Sequence, residues 1–525
     1  MAVKGILKEG EYYDSVTLML VARDVLALEG VEDAAVVMGT DQNKSILETS
    51  GILLDMFKNA IDSDLLIAVK AEDEAICDAA IQKAQELLTS RHSEMQETGE
   101  YTPKSLEGAV DFLSDANMVI ISLAGKYAGD EAMKALKKGL HVMLFSDNVS
   151  IETEIELKQY GKEHGLLVMG PDCGTAIING APLCFANVVN RGDIGIVAAS
   201  GTGLQEVSTV ISNEGAGVSQ AIGTGGRDVK KDIGGIMFIE GIKALEEDPR
   251  TKYITIVSKP PHPEVLEKVA ALIKTEIKKP VVAILLGGDP KVVEEAGAIP
   301  ANTLEEAGLI ASSFSKGKSM DEFKQLLEER EKGLLNLAET ESKNKTATQK
   351  FVRGLYTGGT LCDEAMLISR TIIGEVYGNA PLNPQFKLED SWLSKENTFV
   401  DLGEDEFTVG RPHPMIDFTL RNKKILEEAN DKEVAVILLD VVLGYGSNMQ
   451  PGDELNPIIK QAKKSAEKDG RNITFVCTIT GTDKDPQGRG KVKQQLEDAG
   501  AIIMPSNAAA SKLASYIVKN LGGAR

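Results

Sequence analysis

Short apolar runs alternate with longer amphipathic stretches along most of this chain. Runs such as NMVIISLAG, HVMLFSD, YITIVSK and PVVAILLGG are separated by helical patterns such as GDEAMKALKKG. Continuous apolar strands between amphipathic helices are typical of parallel sheets that are covered on both faces. The pattern therefore predicts an α/β protein built from parallel sheets.

The same pattern predicts several domains, as the length of 525 residues also does. We expect a small α/β domain at 1–102, a Rossmann-like domain at 103–190, and two flavodoxin-like doubly wound parallel-sheet domains at 191–330 and 351–525. The charged segment at 331–350 is interpreted as a linker.

The two doubly wound domains read as copies of one another. In the first, SGTGLQE is followed by IGTGGRDV, a helical pattern and the strand YITIVS. In the second, TGGTLCDE is followed by VDLGEDEFTVGRPHPMID, a helical pattern and the strand VAVILLD. The second copy carries extra residues around 376–397, which include Trp392. The order of parts predicts a tandem repeat.

A glycine-rich turn leads from strand to helix at the same place in each copy. Such turns aim free helix N–H groups, and the positive end of the helix dipole, at whatever lies above the sheet edge. Phosphate and carboxylate sites are built in this way. If the copies pack pseudo-symmetrically, two helix N-termini face one anion. The residues predicted to bind it are Ser200, Gly201, Thr202, Gly203, Thr357, Gly358, Gly359 and Thr360. Ordinary helix capping explains either turn alone.

Charge and cysteine usage narrow the class of function. The chain has 79 acidic and 57 basic residues and a net charge of −22, so it should repel a nucleic-acid backbone. Its five cysteines form no CxxC pair, which favours a reducing compartment. The sequence has no run of apolar residues long enough to span a membrane and no metal-ligand spacing, so we expect a soluble cytoplasmic protein without a bound metal.

A few basic side chains are candidates for contact with an anion. Arg411 and His413 lie in GRPHP, and Arg227 lies in the corresponding loop of the first copy. An arginine can pair two oxygens of one phosphate or carboxylate, although a structural ion pair or a solvated loop explains these residues equally well. Cys173 in GPDCGT is interpreted as a buried thiol rather than a nucleophile.

Several motifs resemble the succinyl-CoA synthetase superfamily. GPDCGTAI followed by RGDIGIVAASGT, and PVVAILLGG followed by EEAGAI, are similar to its α subunit. TGGTLCDEA, VDLGEDEFTVGRPHPMID and TGTDKDPQ resemble the FdrA family, in which α-like and β-like ligase domains are fused. The resemblance implies a CoA-binding-like domain at 103–190 and two helix N-termini that share one phosphate.

The departures from the synthetases concern their phosphate relay. Glu295 in EEAGA stands where the resemblance implies a phosphorylated histidine, and VSKPP, with Ser258 and Lys259, stands where it implies a supporting glutamate. No stretch remains for an ATP-grasp domain. The chain is therefore expected neither to carry phosphohistidine nor to hydrolyse ATP.

For function, the resemblance to the FdrA family implies a subunit of an oxamate carbamoyltransferase that works with two partner proteins. Oxalurate and phosphate would give oxamate and carbamoyl phosphate, with Arg411 or Lys259 stabilising the developing anion and His413 as a further candidate catalytic residue. No cofactor would be required, phosphate or carbamoyl phosphate would be the ligand, and CoA remains a possible ligand. We expect an oligomer. The alternatives are a subunit of an acid–CoA ligase and a non-catalytic scaffold or regulator.

Overall fold

The computed structural model describes residues 1–13, 15–96, 103, 105–381, 383–408 and 411–523. The chain divides into two compact units. The first comprises residues 1–117, 122–127 and 404–413, and the second comprises 118–121, 128–403 and 414–525. Within the described ranges, no helix has both the length and the apolar character that crossing a membrane requires.

The first unit is built around an antiparallel sheet in the strand order β1-β3-β2. Its elements are β1 (Ala2–Lys8), α1 (Ser15–Leu26), β2 (Val31–Met38), α2 (Asp41–Thr49), β3 (Leu65–Ala71), α3 (Glu74–Gln96) and α4 (Leu106–Phe112). Successive residues of β3 enter different apolar clusters, with Ile67 and Val69 on one face and Leu66 and Ala68 on the other. This division follows from the two-residue period of a strand. The small α/β domain predicted at the N-terminus is present.

The second unit begins with a Rossmann-like layer of three parallel strands in the order β4-β5-β6. Its elements are β4 (Met118–Ile121), α5 (Gly125–Lys137), β5 (His141–Leu144), α6 (Ile151–His164) and β6 (Val168–Met169). Short apolar strands alternating with helices produce this layer, as the sequence pattern predicts.

A seven-stranded sheet follows, in the order β13-β12-β11-β9-β10-β7-β8. Its elements are β7 (Thr175–Ile178), β8 (Ala181–Cys184), β9 (Arg191–Ala198), α7 (Gly201–Asn213), β10 (Val218–Gly223), α8 (Ile236–Glu247), β11 (Tyr253–Ser258), α9 (Pro263–Thr275), β12 (Val281–Leu285), α10 (Pro290–Glu295), β13 (Ile299–Pro300) and α11 (Leu304–Ser315). The antiparallel hairpin of β7 and β8 is absent from the sequence prediction. Its signal is Asn179–Gly180, both of which have positive φ (52° and 83°), as a tight hairpin turn requires.

The predicted linker at 331–350 is partly wrong. Helix α12 (Met320–Ser342) includes the first twelve residues of the predicted linker. Leu334 and Ala338 are buried in the main apolar core, and Lys512 forms an ion pair with Glu331 at 2.9 Å. The apolar side chains of this charged segment therefore lie on one face of a helix and pack against the core, and the connector begins after Ser342.

The C-terminal domain contains a six-stranded parallel sheet in the order β15-β16-β14-β17-β18-β19. Its elements are β14 (Phe351–Tyr356), α13 (Gly359–Ile373), β15 (Tyr377–Gly378), β16 (Thr398–Asp401), α14 (Asp405–Thr408), α15 (Thr419–Asn430), β17 (Val434–Val442), α16 (Pro451–Lys468), β18 (Thr474–Thr480), α17 (Arg489–Glu497), β19 (Ala501–Met504) and α18 (Asn507–Asn520). Of these, α14 belongs to the first compact unit.

The tandem repeat is visible in the strand orders. The parallel part of the first sheet, β13-β12-β11-β9-β10, corresponds strand for strand to β19-β18-β17-β14-β16. The segment around 376–397 contributes β15 and the loop that carries Trp392. The multidomain α/β architecture with two doubly wound parallel-sheet domains is therefore confirmed.

Candidate functional site

Helix α7 begins at the glycine-rich turn of the first repeat. Ser200 is its N-cap, and the Ser200 Oγ accepts a hydrogen bond from the Gly203 N–H at 3.0 Å. The first two helical N–H groups, those of Gly201 and Thr202, have no hydrogen-bond partner among the described residues. They are the donors that a helix N-terminus normally leaves for water or a ligand.

Helix α13 begins at the corresponding turn of the second repeat, with Gly358 as its N-cap. Here a carboxylate of the protein itself takes two of the predicted donors. Asp440 accepts hydrogen bonds from the Thr357 N–H at 2.8 Å, the Thr357 hydroxyl at 2.9 Å and the Gly358 N–H at 2.9 Å. Thr357 and Gly358 therefore shape the turn, and the N–H groups of Gly359 and Thr360 have no partner within the described chain.

The two turns meet. Ser200 Oγ lies 2.7 Å from Thr360 Oγ1, within hydrogen-bond distance. A Cβ on Gly358 would lie 2.9 Å from Thr202 Cγ2, so a side chain at this position would push the turns apart. The helix N-termini of the two repeats thus face one another, as the sequence predicts, although the contact is made by Thr360 and not by Thr357.

This arrangement brings two helix N-termini together between the two domains. Four N–H groups without a partner in the described part of the chain belong to the first turns of the two helices, namely those of Gly201, Thr202, Gly359 and Thr360. Gly201 is exposed and Gly359 is half-buried, so the turns are open to solvent. Paired helix N-termini with free donors can hold an oxyanion. That these turns do bind an anion remains a prediction.

A buried charge pair supports the second turn. Arg421 Nη1 donates hydrogen bonds to the Asp440 carbonyl at 2.6 Å and to Asp440 Oδ1 at 3.3 Å, and both side chains are fully buried. Burial raises the pKa of Asp440 and lowers that of Arg421. Sequence reasoning missed both residues. The available signal was an aspartate directly after the apolar run VAVILL.

Two more charged groups lie beside the first turn of α13. Lys259, a predicted catalytic residue, forms an ion pair across the repeats with Asp363. Asp401, which sequence reasoning did not assign to the site, lies against Gly359, where a Cβ would be 2.5 Å from Asp401 Oδ2. Charged side chains of both repeats therefore lie next to this turn.

Arg227 is engaged elsewhere in the second unit. Its guanidinium donates a hydrogen bond to the Val149 carbonyl at 2.8 Å and pairs with Glu154 at 2.9 Å. Glu154 belongs to a buried network in which Lys158 Nζ also reaches Asp228 at 2.8 Å. These contacts give Arg227 a structural role at the Rossmann-like layer, and a role in anion binding remains a prediction.

Arg411 and His413 belong to the first compact unit. Arg411 is exposed, and its N–H donates a hydrogen bond to the Thr408 carbonyl at 3.0 Å. Burial lowers the pKa of His413 to about 4, so its imidazole is neutral at neutral pH. Their catalytic roles stay predictions. Glu295, at the position of the relay histidine, is exposed at the end of α10.

The thiol of Cys173 is buried, and burial raises its pKa to about 12. A thiol in this environment stays protonated at neutral pH and is a poor nucleophile. The structure agrees with its interpretation as a core residue. Among the described residues, no group of His, Cys, Asp and Glu side chains is arranged to hold a metal ion.

Three family models match the chain. The model of a CoA-ligase matches residues 355–517, that of a CoA binding domain matches 189–286, and that of the AllF heavy metal-associated domain matches 1–103. The CoA-binding match thus falls on the first doubly wound domain, whereas the resemblance implied a CoA-binding-like domain at 103–190.

Individual proteins of known sequence or structure are also similar to the chain. The chain is 42% identical to the uncharacterized protein YahF of Escherichia coli over 99% of both chains. It is 29% identical to subunit alpha 2 of the ADP-forming succinate–CoA ligase of Archaeoglobus fulgidus, over 33% of this chain and 60% of that subunit. The dinucleotide-forming acetyl-coenzyme A synthetase 1 of Ca. Korarchaeum cryptofilum covers 80% of this chain, which covers 88% of it, at 13% identity and a TM-score of 0.34, too low to show a common fold.

Similarity to YahF extends over nearly the whole of both proteins, and the CoA-binding and CoA-ligase matches fall on the two repeats that form the site. The chain therefore belongs to the same family as YahF, a family of acyl-CoA synthetase-like proteins with succinyl-CoA-ligase-like domains.

Proposed function

We propose that this protein is the phosphate-binding subunit of an oxamate carbamoyltransferase. Inorganic phosphate and carbamoyl phosphate would bind between the first turns of α7 and α13. The observation that carries the proposal is the 2.7 Å contact between Ser200 and Thr360, which brings two helix N-termini with free donors to one place. The choice of carbamoyl chemistry rests on the resemblance to the FdrA family.

The proposed reaction needs no phosphoenzyme. A phosphate oxygen attacks the carbamoyl carbon of oxalurate and forms a C–O bond. The bond from that carbon to the oxamyl nitrogen then breaks, and the nitrogen takes up a proton as oxamate leaves. This scheme is compatible with Glu295, because a direct attack by phosphate needs no phosphohistidine at that position.

The protein's contribution would be positioning and electrostatic stabilisation. The N–H groups of Gly201, Thr202, Gly359 and Thr360 would hold phosphate oxygens. Lys259 forms an ion pair with Asp363, which follows Thr360 on α13. Donors fixed before the reaction stabilise developing negative charge without reorganisation. Arg411 and His413 are proposed to assist, in an oligomeric cytoplasmic complex with two partner subunits.

A second candidate function is favoured by the CoA-ligase and CoA-binding family matches. The chain would then be the CoA-binding subunit of an acid–CoA ligase whose nucleotide domain is a separate protein. The two candidates differ in what they consume, since the ligase requires CoA and a nucleotide and the carbamoyltransferase requires neither.

The test is an assay of oxalurate phosphorolysis with the purified chain, alone and with the proteins encoded beside it. We expect carbamoyl phosphate to form without nucleotide, and only in the complex. Formation of an acyl-CoA that depends on a nucleotide and CoA, with no phosphorolysis, would favour the ligase instead.

Phosphate binding is tested separately by calorimetry on the full chain. Ser200→Ala and Thr360→Val together should weaken binding of inorganic phosphate at least tenfold, because they remove the contact that aligns the two turns. Ser319→Ala removes an equivalent N-cap from α12, outside the site, and should leave the affinity unchanged. Equal affinities in all three proteins would contradict the proposed site.

A further inference from the structure

Arg421 is fully buried, although two of its three guanidinium nitrogens make no hydrogen bond. Nη1 donates to the Asp440 carbonyl and to Asp440 Oδ1, and the guanidinium carbon lies 4.1 Å from the ring centre of Phe418. The buried Nε and Nη2 have no hydrogen-bond partner among the described residues. Buried polar groups are usually paired, and an unpaired one costs stability. Apolar side chains often replace a buried ion pair without loss of stability, so packing alone does not account for this charge.

The partner of Arg421 shapes the second turn. Asp440 accepts hydrogen bonds from the Thr357 N–H, the Thr357 hydroxyl and the Gly358 N–H at 2.8–2.9 Å. The two N–H groups can only donate, and an ionised carboxylate, which only accepts, satisfies them together with the hydroxyl. Burial raises the pKa of Asp440, and Arg421 opposes this shift. The turn is therefore matched to a carboxylate that Arg421 helps to keep charged.

The two repeats differ at the position of Asp440. Three residues before each N-cap, the central strand pairs with its neighbour through Leu355–Leu439 in the second repeat and Val197–Ile256 in the first. The next residue of the neighbouring strand is Asp440 in the second repeat and Val257 in the first. The first turn is capped by its own Ser200, whereas the second is held by a carboxylate from another strand.

This difference has a consequence for anion binding. Asp440 bonds the Gly358 N–H, and the N–H groups proposed to hold phosphate follow directly, on Gly359 and Thr360. A negative charge this close to the donors opposes the binding of an anion. A cation beside Asp440 balances that charge and leaves the hydrogen bonds of the turn in place. Arg421 is so placed, with Nη1 3.3 Å from Oδ1.

We propose that Arg421 is a positioning residue for phosphate binding that acts through Asp440. It keeps the carboxylate that holds the second turn, and it balances the charge that would otherwise repel phosphate from the N–H groups of Gly359 and Thr360. The inference rests on the proposed function and adds to it a buried residue that does not touch the anion.

The test measures the affinity of the full chain for inorganic phosphate by calorimetry, and the KM values of the complex. Arg421→Met should weaken phosphate binding about tenfold or more, because Asp440 then lies beside the anion without its cation. Arg421→Lys keeps the positive charge and should retain most of the affinity. In the complex, Arg421→Met should raise the KM for phosphate and leave the KM for oxalurate unchanged.

Arg353→Met is the matched control. Arg353 is a second buried arginine of the same sheet, paired with Glu428 at 2.8 Å and Asp431 at 2.7 Å. Its loss should lower the melting temperature, as the loss of Arg421 should, but leave phosphate affinity unchanged. If Arg421→Met does not fold, Arg421→Gln, which is uncharged but can still donate to the Asp440 carbonyl, takes its place with the same expectation.

Three results would overturn the inference. These are an unchanged phosphate affinity in the folded uncharged variant of Arg421, an equal loss of affinity in that variant and in Arg421→Lys, and an equal loss in that variant and in Arg353→Met. The first result would leave Arg421 with a role in stability alone. The second would exclude the positive charge as the cause, and the third would trace the loss of affinity to general destabilisation.

The inference and the proposed function fail in different ways. If the wild type binds phosphate and the complex catalyses phosphorolysis while any of these three results is found, only the role of Arg421 is refuted. If the wild type binds phosphate with the expected dependence on Arg421 but the complex forms no carbamoyl phosphate, the inference stands and the carbamoyltransferase is refuted. If the wild type binds no phosphate and no carbamoyl phosphate forms, both are refuted.

Discussion

Glu206 and Glu364 occupy equivalent positions in α7 and α13, and each caps the last helix of the other repeat. Glu206 Oε1 accepts a hydrogen bond from the Asn507 N–H at 2.9 Å, at the start of α18. Glu364 Oε1 accepts one from the Leu304 N–H at 2.7 Å, at the start of α11. Both carboxyl groups are buried. The reciprocal caps join the two domains whose turns form the candidate site.

Stability should depend on the protonation of Glu364. Burial raises the pKa of this carboxyl to about 8, whereas an unfolded glutamate titrates near ~4.3. Its contribution to the free energy of unfolding is therefore fully present below the unfolded pKa and is lost as the pH rises through about 8. Relative to Glu364→Gln, the wild type should lose stability between about pH 5 and pH 8, as urea unfolding at several pH values would measure.

A matched control is Glu322→Gln in the exposed capping box of α12. Hydrogen bonds from Ser319 lower the pKa of Glu322, so its contribution changes only at more acidic pH. The difference between this variant and the wild type should be constant over the same pH range. Parallel stability curves for the wild type and Glu364→Gln would show that Glu364 does not titrate there.

The contact between Ser200 and Thr360 should be measurable as a coupling energy. A double-mutant cycle of Ser200→Ala and Thr360→Val should give about 0.5–1.5 kcal/mol in the free energy of unfolding, the value of one net hydrogen bond. Ser200 also caps α7, so Ser200→Ala alone should lower the free energy of unfolding by about 1 kcal/mol beyond the loss of this hydrogen bond. Ser319→Ala combined with Thr360→Val should be additive. A coupling of zero for the first pair would mean that the hydroxyl groups do not interact.

The fold and the turns were predictable because their signals are local. Apolar runs, helical spacing and the repeated glycine-rich turns are read within about 30 residues, the size of one βαβ unit. Ser200 and Thr360 could be assigned to one place because the repeat implies an equivalent position in each domain. The hairpin that contains Asn179 and Gly180 was also locally encoded, and its turn signal was overlooked.

The charges around the turns were not predictable, because strand register decides which of them meet. Asp401 ends β16 and Asp440 lies near the end of β17. These strands neighbour β14 on opposite sides, and only the pairing brings both aspartates to the same turn. From its position in a loop, Arg227 was a candidate for contact with an anion, but its partner Glu154 comes from the Rossmann-like layer. Sequence reasoning finds such side chains as isolated charges and does not identify their partners.

Lys158 should be essential for stability. Its ammonium group is fully buried between Glu154 at 2.7 Å and Asp228 at 2.8 Å and also donates a hydrogen bond to the Thr224 carbonyl at 3.0 Å. Lys158→Met leaves Asp228 buried without its cation and Glu154 with Arg227 alone, and breaking a buried ion pair typically costs about 3–5 kcal/mol. Urea unfolding measures the loss, and Glu154→Gln in the same chain should recover part of it.

The exposed pair of Lys493 and Glu497, at 3.4 Å on α17, provides the comparison. Lys493→Met should change the free energy of unfolding little, because solvent screens an exposed ion pair. If Lys158→Met were as stable as Lys493→Met, the buried network would not contribute to stability.

Replacement of Arg411 by lysine tests whether this arginine binds the anion. A planar guanidinium pairs two oxygens of one phosphate, whereas an ammonium group acts as a point charge. Arg411→Lys should therefore weaken phosphate binding by about 1.5–3 kcal/mol, or about ten- to a hundredfold. The melting temperature should hardly change, because Arg411 is exposed and lysine keeps the charge. Arg370→Lys, at the opposite end of α13 from the turn, should alter neither quantity. If Arg411 instead braces its own loop, Arg411→Lys would lower the melting temperature and leave phosphate affinity unchanged, and Arg411 would then be removed from the site.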